Sequence, residues 1–177
     1  MSPTEVTVLR LGHRPAHDRR ISTHVCLTAR AFGADRVVLP NADRDLQASV
    51  EDVVDRFGGD FELVGDESWR PLIREFPGPS LHLTMYGQRH TEVLAELDEP
   101  DEALLVVGAE KVPSEVYDLV THNVAVGNQP HSEIAALASM LEGIVGSEAL
   151  YADRPGAEIK IEPAERGKDV RQQDRGG

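Results

Sequence analysis

ALLVVGAEKVPSEVYDLVTHNVAVGNQPHSEIAAL, residues 103–137, decides the fold. Its apolar run from Ala103 to Gly108 is the clearest strand of the chain, and HNVAVG, 122–127, is a second one. PSEVYDLV supplies a helical turn or two between them, and Pro130 stands in the first turn of a long helix predicted to reach Ile144. Strand, glycine turn and helix thus follow one another twice.

Upstream the same alternation continues. VTVLRL, 6–11, reads as a first strand stopped by Gly12, and Ser22 or Thr23 caps a helix whose Val25, Leu27, Ala29 and Phe32 run to Gly33. RVVLP is a short strand, Asp45–Phe57 is a helix ended by Gly58-Gly59, and FELVG is the next strand. SWRPLIREF makes a short helix before PGP, Ser80 to Gly87 a buried strand ending in glycine, and Thr91–Leu97 a further helix. Such an alternation predicts an α/β fold, a mainly parallel sheet flanked by helices. Residues 1–150 are read as one domain; 151–177 are a polar C-terminal extension with one exposed strand in AEIKIEP and a disordered end.

Composition narrows the class. The 177 residues are 40% hydrophobic, enough for one real core, and no apolar run approaches the roughly 18 residues of a membrane span. The N-terminus lacks the layout of a signal peptide, so a cytoplasmic protein is expected. Cys26, the one cysteine, lies in an apolar stretch that suits packing better than redox chemistry. The net charge is −13, an acidity of the kind halophiles use. Residues 1–44, with seven arginines and four acids, nevertheless carry +3 against −16 for the rest. A local arginine patch can still meet phosphates, so an RNA partner survives the overall charge.

In an open parallel sheet, ligands bind beyond the carboxyl ends of the strands. Three glycine-containing turns end there, at 83–87, 107–114 and 126–133, where backbone N–H groups can approach polar atoms. No G-x-G-x-x-G follows the first strand and no P-loop occurs, which argues against a Rossmann dinucleotide enzyme and a P-loop NTPase. His122 and His131 lack metal-ligand spacing, and Ser132 lacks the nucleophile elbow of a hydrolase, so no metal is expected. The loop LGHRPAHDRRISTH, 11–24, offers Arg14, Arg19, Arg20, His13, His17 and His24 at the same edge. It is either a phosphate-clamping and proton-moving loop or a solvated one in which Asp18 pairs a neighbour.

VLRLGHRPAHDRRISTHVCLTARAFGA, LTMYG, LLVVGAEKVPSEVYDL and NVAVGNQPHSEIAALA closely resemble the archaeal tRNA cytidine-56 2′-O-methyltransferase family, a branch of the SPOUT methyltransferases. The likeness covers most of residues 6–145 and extends to AEIKIEPAERGKDV. It implies a SPOUT-type α/β fold with a trefoil knot, a homodimer, S-adenosylmethionine as methyl donor and tRNA as substrate. By resemblance, Leu83, Thr84 and Gly87 bind the donor. So do Gly108, Ala109, Glu110, Lys111 and Val112, and then Val126, Gly127, Asn128, Gln129, Pro130, His131, Ser132 and Glu133. Glu110 and Glu133 either hold ribose hydroxyls or cap the helices that follow.

The reaction needs a ribose hydroxyl made nucleophilic and aligned with the methyl group. Related enzymes place an arginine from the first loop or helix there; Arg14 and Arg20 are the catalytic candidates, suited to phosphate binding and hydroxyl polarisation because arginine stays protonated. His24 is either the base or a satisfied helix-start histidine. The competing readings are a SPOUT 2′-O-methyltransferase acting on another tRNA or rRNA nucleotide, and a noncatalytic RNA-binding protein of the same fold.

Overall fold

A computed structural model describes residues 3–108 and 112–173. Six strands, β1 (Glu5–Leu11), β2 (Arg36–Val38), β3 (Glu62–Val64), β4 (Ser80–Arg89), β5 (Glu102–Gly108) and β6 (His122–Ala125), form one sheet in the order β3-β2-β1-β5-β4-β6. Every neighbouring pair is parallel. The intervening helices are α1 (Arg19–Ala31), α2 (Arg44–Phe57), α3 (Trp69–Glu75), α4 (His90–Glu96), α5 (Val116–Leu119) and α6 (Glu133–Val145). The α/β class read from the sequence therefore holds.

Period-two alternation in β1 explains how helices cover both faces. Val6 and Val8 meet Val25 and Ala29 of α1, Leu46 and Val50 of α2, and Leu137 and Met140 of α6. Leu9 and Leu11 turn to the opposite face, against Leu72 and Ile73 of α3 and Val116 of α5. Each such valine, leucine, isoleucine or methionine, fully buried, contributes about 1.5–3 kcal/mol. The chain leaves β1 toward β2 and β3 on one side, while β5, β4 and β6 lie on the other. Strand order thus reverses at β1 and β5, and ligands of such sheets bind beyond the carboxyl ends near that point.

Four local readings need correction. α1 starts at Arg19, not after Ser22 or Thr23. Ser22 is buried inside the helix because its hydroxyl is drawn to Arg10, 2.8 Å away. α6 starts at Glu133, with Ser132 as N-cap accepting from the Ile134 N–H at 3.2 Å. Pro130 therefore precedes the helix rather than standing in its first turn. β4 continues past Gly87 to Arg89, and its outer half is exposed. Finally, the extension holds two strands, β7 (Ile159–Glu162) and β8 (Asp169–Gln172), paired as an antiparallel hairpin. Its predicted disordered end, 174–177, lies outside the described residues.

The extension is fastened to helix ends. Arg154 donates to the Arg30 and Ala31 carbonyls at 3.1 and 3.3 Å, adding to the cap at the C-terminus of α1, where the Gly33 N–H also reaches Arg30. Gly58, at φ +83°, ends α2, and a Cβ there would lie 2.8 Å from the Arg154 and Pro155 carbonyls.

Candidate active site

The side chain that ties the site together is Arg10, on the α1/α6 face of β1 and 1% exposed. A charge buried this deeply must be paired and hydrogen-bonded. Its Nε and Nη2 donate to Glu133 Oε1 at 3.0 and 2.8 Å, and its Nη1 donates to Ser22 Oγ at 2.8 Å. Ser22 Oγ lies 2.6 Å from His13 Nδ1, and His13 Nε2 lies 3.3 Å from Asp43 Oδ1. With His13 neutral, donation runs one way: guanidinium to hydroxyl, hydroxyl to Nδ1, Nε2–H to carboxylate. One arginine thereby joins β1, α1 and the head of α6.

Glu133 keeps one buried oxygen, Oε2, without a hydrogen-bond partner among the described residues. Burial pushes its carboxyl above the usual range, although Arg10 opposes the shift. An acceptor left open at the mouth of the 126–133 loop suits a hydroxyl donor from a ligand.

The arginines of the first loop divide by partner. Arg14 grips Asp18 with Nε and Nη2, both at 3.1 Å, and this hydrogen bonding holds the Asp18 carboxyl down at about 2. Arg19 pairs with Asp43 and Asp45, each at 3.2 Å. Arg20 is exposed on the first turn of α1 with no ion pair among the described residues. It lines an open cavity of about 430 Å³ with Ala16, His17, Arg19, Thr23 and His24. Of the two candidate arginines, Arg20 is the one with no ion pair among the described residues; the exposed His24 is one helical turn further on.

The glycine turns converge in part as the sequence suggests. Leu83 and Gln88 both register on Val124, so residues 84–87 leave the β4 ladder as an outward excursion. Asn128 Nδ2 donates to the Met85 carbonyl at 2.8 Å and to the Gly87 carbonyl at 3.2 Å, bracing the 126–133 loop against it. Gly87 presses flat on β6, where a Cβ would overlap the backbone of Asn123 and Val124. Gly127 has φ +74°, which calls for glycine's freedom, and none of the described residues lies within 4 Å of where its Cβ would be. Gly108 ends β5 with Val112 close beside it; Ala109, Glu110 and Lys111 lie outside the described residues.

Two histidines fix these turns. His131 sits between the carbonyls of Val126 (Nε2, 2.5 Å) and Ser132 (Nδ1, 3.0 Å). Both ring nitrogens face acceptors, which raises its pKa and favours the cation. His82, buried on β4, is lowered by that burial and lies 2.9 Å from Asn123 Oδ1 through Nδ1. Its ring meets Tyr117 edge-on at 4.8 Å, and the Tyr117 hydroxyl lies 3.0 Å from Thr84 Oγ1. His122 lies 2.9 Å from Thr121 Oγ1 instead. Among the described residues no three His, Cys, Asp or Glu side chains converge as a metal site would require.

Sequence reasoning missed Arg10 and the true role of Ser22. The available signal was the charge itself: VTVLRL places an arginine between leucines in a strand covered on both faces, where an unpaired guanidinium is untenable. Glu133 was singled out, but as a ribose ligand or cap rather than as that partner.

Comparison with known proteins places this geometry in a lineage. Residues 57–171 match the model of a family described as "tRNA ribose 2'-O-methyltransferase, aTrm56". A tRNA (cytidine(56)-2'-O)-methyltransferase of Pyrococcus horikoshii is 50% identical over 170 residues, 93% of this chain and 84% of that one. One of the same name from Archaeoglobus fulgidus is 52% identical over 166 residues, covering 94% and 98%. The Natronomonas pharaonis protein is 49% identical, covering 94% of each. Among solved structures, an RNA 2'-O ribose methyltransferase superposes with TM-score 0.60 at 15% identity, over 83% of this chain and 58% of that one. The SpoU methyltransferase AviRb of Streptomyces viridochromogenes, solved in complex with AdoMet, gives 0.56 at 14%, over 87% and 60%. At such identities the structures speak for the fold.

Proposed function

Because this chain belongs to the archaeal tRNA (cytidine-56) 2′-O-methyltransferase family, we propose that it methylates the ribose 2′-hydroxyl of cytidine 56 in tRNA with S-adenosylmethionine as donor. The observation that carries this reading is half identity with curated relatives over more than nine-tenths of the chain. The donor supplies an electrophilic methyl group on a sulfonium. Among the described residues the site fits it: a turn braced by Asn128, with Gly127 clear of neighbours, and a buried acceptor on Glu133 that none of them pairs.

The assignment of roles is our own. Leu83, Thr84 and Gly87, with the turns 108–112 and 126–133, hold the donor, Glu133 Oε2 accepting from a hydroxyl while Oε1 stays with Arg10. Arg20 meets the substrate phosphate and polarises the attacking hydroxyl; Arg14, committed to Asp18, shapes the loop that carries it. His24, exposed in the same cavity, receives the hydroxyl proton. When bound, the donor would supply the methyl group to the 2′-oxygen, while Arg20 holds that hydroxyl in place and His24 takes its proton.

Residues 1–150 carry this chemistry, and the extension that follows braces it through Arg154. The working assembly is a homodimer in the cytoplasm; no helix among the described residues is long and apolar enough to cross a membrane. The test is mass-spectrometric mapping of 2′-O-methylation on unmodified tRNA transcript incubated with the protein and labelled donor in high salt. Label at cytidine 56 is expected. Label at another ribose would overturn the target, and absence of label would overturn the activity.

A further inference from the structure

We propose that Tyr86 is the platform on which the enzyme stacks an unstacked nucleobase of its RNA substrate, an inference that rests on the function proposed above. Tyr86 is 75% exposed at the tip of the β4 excursion, with Met85 and Tyr117, both more than one-third exposed, on the same excursion and its neighbour α5. Its ring therefore contributes little to folding, yet its backbone is held from several sides. Asn128 grips the carbonyls on either side of it, Thr84 Oγ1 receives the Tyr86 N–H at 3.4 Å, and Gly87 is pinned to β6. A large apolar ring on a fixed mount is a pre-ordered binding surface.

Location and charge name the occupant. The excursion leaves the carboxyl end of β4, and β4, β5 and β1 are neighbours, so the arginine–histidine cavity in the loop and helix after β1 opens at the same edge of the sheet, two strands away. A ring beside a cationic cavity is the pairing that single-stranded RNA selects, base on ring and phosphate on arginine. Reaching a ribose inside a folded tRNA means taking a nucleotide out of its stack, and a protein ring replaces the lost neighbour.

The test compares Tyr86→Ala, Tyr86→Phe and, as control, Tyr151→Ala, whose ring is 78% exposed on the 3₁₀ turn leading to the extension. Both KM values and equilibrium binding of unmodified tRNA transcript are measured, with sedimentation for assembly. Tyr86→Ala should weaken tRNA binding and raise the KM for tRNA by about ten- to a hundredfold, the range of one base–ring stack, leaving the KM for S-adenosylmethionine unchanged. Tyr86→Phe should recover most of the loss and Tyr151→Ala should match the wild type. An unaltered tRNA affinity in Tyr86→Ala, a matching rise in the donor KM, an equal effect of Tyr151→Ala, or a shift in assembly would overturn the proposal. A wild type that binds tRNA without methylating it would refute the proposed activity instead, while the binding series would still decide Tyr86.

Discussion

Replacing Arg10 by methionine keeps much of the side-chain volume and removes the charge and every donor. The structure sets the consequence: Glu133 Oε1 loses both of its guanidinium bonds, Oε2 has no partner among the described residues, and the carboxyl is 14% exposed. Breaking one side of a buried pair costs about 3–5 kcal/mol. At about 2–4 °C per kcal/mol for a domain of this size, the melting temperature falls by roughly 6–20 °C. Burial already raises the Glu133 carboxyl, and losing Arg10 raises it further. A folded pKa above the unfolded one favours folding at low pH, and that contribution is lost as pH rises through the folded value. The deficit relative to wild type should therefore be smaller at pH 5 than at pH 8. Arg10→Met/Glu133→Leu removes the stranded carboxylate and should recover most of the loss. Urea unfolding of the three proteins at both pH values measures this. A single variant within about 1 kcal/mol of wild type at pH 8, or a double variant no better than the single, would refute the reasoning.

Arg20→Ala should weaken tRNA binding and lower the salt dependence of affinity by about one unit of slope, as loss of one phosphate contact does; Arg14→Ala, which removes both guanidinium bonds to the buried Asp18 and leaves it the backbone N–H of residue 14, should lower thermal stability more than the salt slope. His131 has a raised pKa, so its stabilisation of the 126–133 loop is present below the unfolded value near 6.5 and fades as pH rises through the folded one. Donor affinity, followed by calorimetry, should decline over that range in the wild type and stay flatter in His131→Gln. Cys26, its thiol pushed up to about 12 by burial, should resist maleimide in the native protein and react on unfolding.

The strands were legible because a sheet covered on both faces demands continuous apolar runs, and those of 6–11 and 103–108 have few competing readings. The helix starts were less so. Ser22 has the chemistry of a cap, and only a tertiary partner, Arg10 from another element, takes its hydroxyl away. At α6, Pro130 and Ser132 both carry start signals two residues apart, and the hydroxyl bond to Ile134 decides for the serine. Glycine spacing marked the turns after β4 and β6 as neighbours, while the brace between them depends on Asn128, a residue whose reach no local pattern encodes. Arg14 and Arg20 look alike in sequence; Asp18, four residues from one of them, separates them in space.

The central pairing of β1 with β5 joins Glu5 to Glu102, 97 residues apart (102 − 5), and the Arg10–Glu133 pair spans 123. Closing loops of that length is entropically slow, so the middle of the sheet cannot form early in synthesis. Until α6 leaves the ribosome, Arg10 lacks the Glu133 carboxylate, and the part of the β1 face that Leu137 and Met140 cover stays open to water. Any chain stopped short of Glu133 would carry that gap and a stranded guanidinium, a ready signal for the proteases that clear incomplete proteins.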